Sequence, residues 1–206
     1  MRLAVVSAGL SLPSSTRLLA DRLAEATARQ PAFAEAPVTV EVVELRALAV
    51  DIAKNLVTGF ASPSLGRAVG TVTGADGLIA VTPVFSASYS GLFKSFFDVI
   101  DREALDGMPV LAAATGGTAR HSLALEYAVR PLFAHLRAVV APTSVFAAPE
   151  DWGAGGDGPR HALAGRVVRA AGELAALMSG SGRPVAAAEE VVPFEQQLAA
   201  LRTDRP

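Results

Sequence analysis

At 206 residues the chain has room for one domain with a single sizeable core, and without cysteine it has no disulfide, thiol nucleophile, iron–sulfur ligation or Cys-based zinc site. Its 18 basic and 20 acidic residues give a net charge of −2 with no long run of either sign, so nothing favours nucleic acid and a small-molecule partner is expected. With 51% hydrophobic but only 6% aromatic residues, the core must come from Ala, Val and Leu, the mixture of a parallel sheet covered by helices.

The first ten residues are too short an apolar stretch for a signal peptide, and Leu3–Ser7 reads as a strand. A Ser/Pro loop follows, and then Ser15–Ala28 shows helical spacing through Leu18, Leu19, Leu23 and Ala26. Pro31 and Pro37 punctuate the way to a second strand, Val38–Glu44. Ala47–Phe60 is expected to be a short helix and loop, and Ser64–Thr73 another helix. Gly77–Thr82 is a buried strand expected to stop at Pro83, with a loop over Val84–Ser90 and a helix over Gly91–Ile100. Pro109–Thr115 is the fourth strand, and Gly116-Gly117 opens a loop before a helix over Ser122–Leu136. Val139–Val145 is the fifth strand, Ala147–Pro159 a Gly/Pro-rich loop around Trp152, and Arg160–Met178 a last amphipathic helix. Five strands alternating with about five helices imply right-handed crossovers and a parallel sheet with helices on both faces. No apolar run approaches the roughly 20 residues of a membrane span, so a soluble, cytoplasmic protein is expected. Residues 1–178 form the expected domain, and 179–206 a linker and tail. Phe194 and Leu198 at helical spacing leave two readings of that tail, a docking segment or a disordered terminus.

Ligands of open parallel sheets bind beyond the carboxyl ends of the strands, which directs attention to the loops after the first, third and fourth. The first places Ser7, Ser11, Ser14, Ser15 and Thr16 between a strand and a helix start, with Arg17 in the first turn. Hydroxyls, free amides and a guanidinium suit a phosphate, although one of Ser14 and Ser15 serves equally as an N-cap. The loop has neither the P-loop nor the Gly-x-Gly-x-x-Gly spacing, so a terminal monophosphate such as that of FMN fits better than a triphosphate or a tightly bound dinucleotide. His121, His135 and His161 are scattered and form neither a metal spacing nor a catalytic triad. Lys94 and Asp98, four apart, pair on one helix.

The segment Thr82–Gly91, with Pro83, Phe85, Ser88, Ser90-Gly91, Lys94 and Asp98, resembles the loop after the third strand in the NAD(P)H-dependent FMN reductase family. Ser14, Thr16 and Arg17 are similar to that family's phosphate segment, and Thr115-Gly116-Gly117 to its third loop, so the likeness runs from about Met1 to Trp152. It is nearest to the alkanesulfonate-type reductases that partner luciferase-like monooxygenases. The resemblance implies a flavodoxin-like, three-layer, doubly wound α/β sandwich whose five-stranded parallel sheet has the order 2-1-3-4-5. It also implies FMN with NADPH or NADH as cofactors, a homodimer or homotetramer, and possible supply of reduced flavin to a flavin-dependent monooxygenase. Pro83, Val84, Phe85 and Ser86 would meet the flavin ring edge through backbone groups, with Thr115, Gly116 and Gly117 on its other side. Taken alone, the two glycines read as an ordinary strand-to-helix turn. Arg17 and Arg120 are further cations for cofactor phosphates, although arginine on a surface helix is commonplace. No acid–base side chain is expected to be obligatory, because the cofactors carry the chemistry. Val84 stands where some relatives have Glu, which points away from the azo- and chromate-reductase type. Some relatives carry near Tyr127 an inserted tyrosine on a π-bulge; here an ordinary amphipathic-helix tyrosine is the alternative. Two rival functions share the scaffold, a quinone or azo reductase that retains FMN and a non-enzymatic flavodoxin-like electron carrier. A net charge of −2 and a lone Trp152 count against the carrier.

Overall fold

Three strands bury side chains on both faces, and this fixes the layers. In β1 (Arg2–Ser7), β3 (Gly77–Phe85) and β5 (Pro109–Thr115), successive residues point to opposite sides of the sheet. Ala4, Val6, Leu78, Ala80, Val110 and Ala112 enter one core, whereas Leu3, Val5, Ile79, Val81, Leu111 and Ala113 enter the other. The structure, a computed structural model, describes residues 1–152 and 159–180. The first core is closed by α2 (Leu45–Thr58), α3 (Pro63–Thr73) and α4 (Gly91–Asp98), with Ile52, Leu65, Val72, Phe93, Phe96 and Phe97 turned inward. The second is closed by α1 (Ser15–Ala28) and the long last helix, through Leu19, Leu23, Leu163, Ala170 and Leu174.

The sheet runs β2 (Thr39–Glu44), β1, β3, β5 and then β6 (Val139–Val140), all parallel, which is the expected flavodoxin-like order 2-1-3-4-5. It has seven strands, however, and not five. The expected fifth strand is split, because both β6 and β7 (Val145–Ala147) pair with β5. Pro142 between them has no N–H for a ladder. The gap is held by α6 (Pro159–Gly180), whose Glu173 carboxylate accepts from the Thr143 amide at 2.6 Å and from its hydroxyl at 2.8 Å.

The seventh strand arises where Pro83 was expected to end β3. The strand continues to Phe85 and turns back as β4 (Ser88–Tyr89), pairing Val84 with Tyr89 and Phe85 with Ser88. Pro83 is tolerated because β1 pairs with β3 only as far as Val81, and the antiparallel pairing begins at Val84.

The expected helix over Ser122–Leu136 is also irregular. A 3₁₀ turn (Ala119–His121) precedes a π-helical turn over Leu125–Val129, and only Arg130–His135 (α5) is α-helical. Pro131 provides the reason. In an α-helix its nitrogen would have to donate to the Tyr127 carbonyl, which its ring instead crowds. The ladder widens, and the Arg130 amide reaches five residues back to the Leu125 carbonyl. Among the described residues no helix is long and apolar enough to cross a membrane. The expected linker and tail, 179–206, lie outside the described residues except for the helix end at Ser179 and Gly180.

Candidate functional site

The loops after β1, β3 and β5 leave the same edge of the sheet, beside the point where the strand order reverses between β1 and β3. The pairs Ser7 with Val81 and Pro83 with Thr115 set their spacing, and the Ala8 amide donates to the Val81 carbonyl at 2.9 Å.

The first loop is built closely on itself. Ser14 is the N-cap of α1, its hydroxyl accepting from the Arg17 amide at 3.2 Å. A Cβ at Gly9 would stand 2.1 Å from that hydroxyl oxygen, so only glycine lets the strand end lie against the cap. The amides of Ser15 and Thr16, in the first turn of a 14-residue helix, have no partner among the described residues and point to the helix N-terminus. Ser11 and Ser15 are exposed, and Ser7 is buried at the end of β1.

Thr16 does not face solvent. It is 3% exposed, and its hydroxyl shares a 2.8 Å hydrogen bond with that of Thr115, 5% exposed, at the end of β5. The first and third loops are therefore joined at their base. Arg17 is committed as well: its guanidinium donates to Asp21 at 2.7 Å and to Glu44 at the end of β2. Its pKa is raised, first by the hydrogen bond to Asp21 against the cost of partial burial, then by the charge of Asp21 and the bond to Glu44.

The second loop is a two-residue hairpin in which Ser86 and Ala87 both take positive φ, 49° and 66°. Such turns match the twist of paired strands but favour Asn and Gly, so a Ser-Ala pair there stores strain. Its base is firm. The buried Thr82 hydroxyl accepts from the Ser90 amide at 3.0 Å and donates to the Pro83 carbonyl, while Ser90 caps α4 by accepting from the Phe93 amide. Phe93 packs on Phe97, and Phe97 edge-on against Phe133, with centroids 4.8 and 5.0 Å apart. Pro83 and Val84 are buried beneath the hairpin; Phe85, half exposed, and Ser86 stand at its tip.

In the third loop Gly116 donates its amide to the Ala147 carbonyl, and a Cβ there would lie 2.8 Å from the Phe146 ring. Gly117 has open space where a Cβ would stand. All thirteen sequence-derived site residues thus lie in three adjoining loops or at the strand and helix ends that flank them. The sequence reading did not single out Gly9 or Ala87: Gly9 carried only the weak signal of a glycine after a strand, and the hairpin was hidden by Pro83. Among the described residues no group of three His, Asp or Glu side chains could hold a metal ion.

Residues 1–153 match the model of the family described as NADPH-dependent FMN reductase. The chain belongs to that family. It is 36% identical over 151 residues to the FMN reductase (NADPH) of Pseudomonas aeruginosa, covering 73% of this chain and 78% of that protein. It is equally 36% identical over 150 residues to the NADH-dependent FMN reductase SfnF of Pseudomonas putida, with coverage of 73% and 78%. Among solved structures, an oxidoreductase from Corynebacterium diphtheriae superposes with a TM-score of 0.82 at 47% identity, covering 87% of this chain and 97% of that one. The protein is therefore a flavin-dependent oxidoreductase whose cofactors are FMN and NAD(P)H. The family match ends where the last helix has yet to begin, so it covers the three loops but not α6.

Proposed function

We propose that this FMN reductase binds the FMN phosphate at the N-terminus of α1 and the flavin ring between the Phe85–Ser88 hairpin and the Gly116-Gly117 loop. The observation that carries this reading is the convergence of the three loops, the first and third tied at their base by the buried Thr16–Thr115 hydrogen bond. The donor set fits the group. The unpartnered amides of Ser15 and Thr16 and the exposed hydroxyls of Ser11 and Ser15 offer the neutral donors a terminal monophosphate accepts, in the field of the helix N-terminus. Ser14 and Thr16 support these donors through the cap and the bridge to Thr115. Arg17 offsets the carboxylates of Asp21 and Glu44, which hold its guanidinium and would otherwise repel a phosphate beside the loop. The open face of Gly117 gives a planar ring room for close approach, and the buried Pro83 and Val84 exclude water behind it.

When bound, FMN supplies the chemistry, accepting a hydride from the nicotinamide C4 of NAD(P)H at its N5. The protein's part is to orient and desolvate, which the three loops do without an acid–base side chain. Named relatives include both NADPH- and NADH-dependent enzymes. We further infer that the reductase assembles as a homo-oligomer and passes reduced flavin to a monooxygenase. The dependence on NAD(P)H supports a cytoplasmic location. Steady-state oxidation of NADH and of NADPH, each with and without added FMN, tests the proposal. Turnover that rises in proportion to free FMN is expected; a rate independent of free FMN, with flavin retained through gel filtration, would replace it with a retained-FMN quinone or azo reductase.

A further inference from the structure

A cavity of about 370 Å³ lies beside the three loops, with Ala87 and Ser88 of the hairpin on one wall and Arg120, His121 and Tyr127 on the other. We propose that it receives the phosphate-bearing part of the nicotinamide dinucleotide, with Arg120 and His121 as its anion partners. The inference rests on the flavin reading above and extends it to the second cofactor.

Position comes first. The His121 Cβ lies 3.7 Å from where a Cβ of Gly116 would stand, so the cavity opens directly off the glycine loop. Hydride transfer requires the nicotinamide to lie against a ring held between that loop and the hairpin. The rest of the dinucleotide must leave past these two loops, and the cavity is lined by Ala87 and Ser88 of the hairpin and by His121 next to the glycine loop. Its volume is at the low end of small-molecule sites, enough for part of a dinucleotide rather than the whole.

Charge is the second argument. Arg120 is exposed and has no acidic partner among the described residues, in contrast to Arg17 with Asp21 and Glu44. The acid nearest to it in the cavity segment, Glu126, is taken by Arg130 at 2.7 Å. Arg130 is fixed in turn by the carbonyls of Ala141 and Pro142 and the Ser144 hydroxyl, so Glu126 is not free to swing to Arg120. Among the described residues the cavity therefore presents a guanidinium without an acidic partner and an imidazole, and no carboxylate lines it. A guanidinium fork matches phosphate oxygens in geometry as well as charge.

The test is calorimetric titration of NADP+ and NAD+ into FMN-loaded wild type, Arg120→Ala, Arg120→Lys and His121→Asn, with FMN titrated into each apoprotein. Arg120→Ala is expected to weaken dinucleotide binding about tenfold, His121→Asn less, and Arg120→Lys to restore part of the loss, while the FMN dissociation constant stays at the wild-type value. In turnover the same loss should fall on KM for the nicotinamide and leave kcat unchanged. Equal losses for NADP+ and NAD+ place the diphosphate in the cavity, and a loss confined to NADP+ places the 2′-phosphate there; either supports the proposal. Unchanged dinucleotide binding in both Arg120→Ala and His121→Asn overturns it while leaving the flavin site intact. A wild-type protein that does not bind FMN overturns the flavin reading, and this one with it.

Discussion

The loop after β1 and the hairpin after β3 flank the same edge of the sheet, yet they are held by opposite means. The first is held by hydrogen bonds with no residue at positive φ: Ser14 caps its helix, Thr16 is bonded to Thr115, and Gly9 lets the strand end nest against the cap. The second is held in a costly backbone conformation at Ser86 and Ala87 by a firm base of Thr82, Ser90 and packed phenylalanines. A phosphate needs a stiff set of donors, which hydrogen bonding supplies without strain. A ring that must be reached by backbone groups needs the chain turned where side chains do not prefer to go, and there the scaffold has to impose the geometry.

Breaking the hydrogen-bonded loop should have the largest effect. Thr115→Val leaves the buried Thr16 hydroxyl without its partner and is expected to cost about 1–3 kcal/mol of stability and to weaken FMN binding. Thr16→Val combined with Thr115→Val should cost clearly less than the two single losses added together. Urea unfolding of the four proteins measures this, and strict additivity would mean that the two hydroxyls do not couple the loops. Gly9→Ala comes next: its Cβ must drive the Ser14 side chain out of the cap, at a cost of about 1 kcal/mol. Adding Ser14→Ala in that background should then change thermal stability little.

The strained hairpin should respond with the opposite sign. Ser86→Gly and Ala87→Gly relieve a left-handed conformation worth roughly 1 kcal/mol per residue, so the melting temperature should rise. FMN binding should weaken, because the freer hairpin has more conformational entropy to lose on binding. A raised melting temperature with unchanged FMN affinity would reduce the hairpin to a simple turn. The smallest effect is expected from Arg17→Ala. Its pairs with Asp21 and Glu44 are solvent-exposed and worth about 0–1 kcal/mol in stability. FMN affinity should fall severalfold while that for riboflavin, which lacks the phosphate, holds; equal losses for both would take Arg17 out of the phosphate site.

Much of this was legible in the residue pattern. The alternation of apolar runs with helical spacing gave the layers, the boundaries of β5 and the positions of all three loops, because strand and helix periodicities are local. The cap at Ser14 was also readable, as a hydroxyl immediately before a periodic helix. Proline was the main source of error. Pro83 looked like a stop but is passed by a strand that has already lost one neighbour. Pro142 divides a strand, and Pro131 interrupts the expected continuous helix with a π turn carrying Tyr127, which was one of the two readings the resemblance left open there. In each case the outcome depends on which backbone group would have been the proline's partner, and only the neighbours decide that.

By itself, then, the sequence determined the fold class, the three loops at one edge of the sheet and the kind of group their residue types suit. Those follow from periodicity and from the chemistry of the residue types. The tertiary structure alone decided that Thr16 faces Thr115 rather than solvent, that Arg17 is held by Asp21 and Glu44 while Arg120 has no acidic partner among the described residues, and that the Ser86-Ala87 turn is strained. Each depends on the direction of a side chain or a backbone angle set by residues distant in the chain, such as the 99 positions between the two threonines, and no local pattern records it.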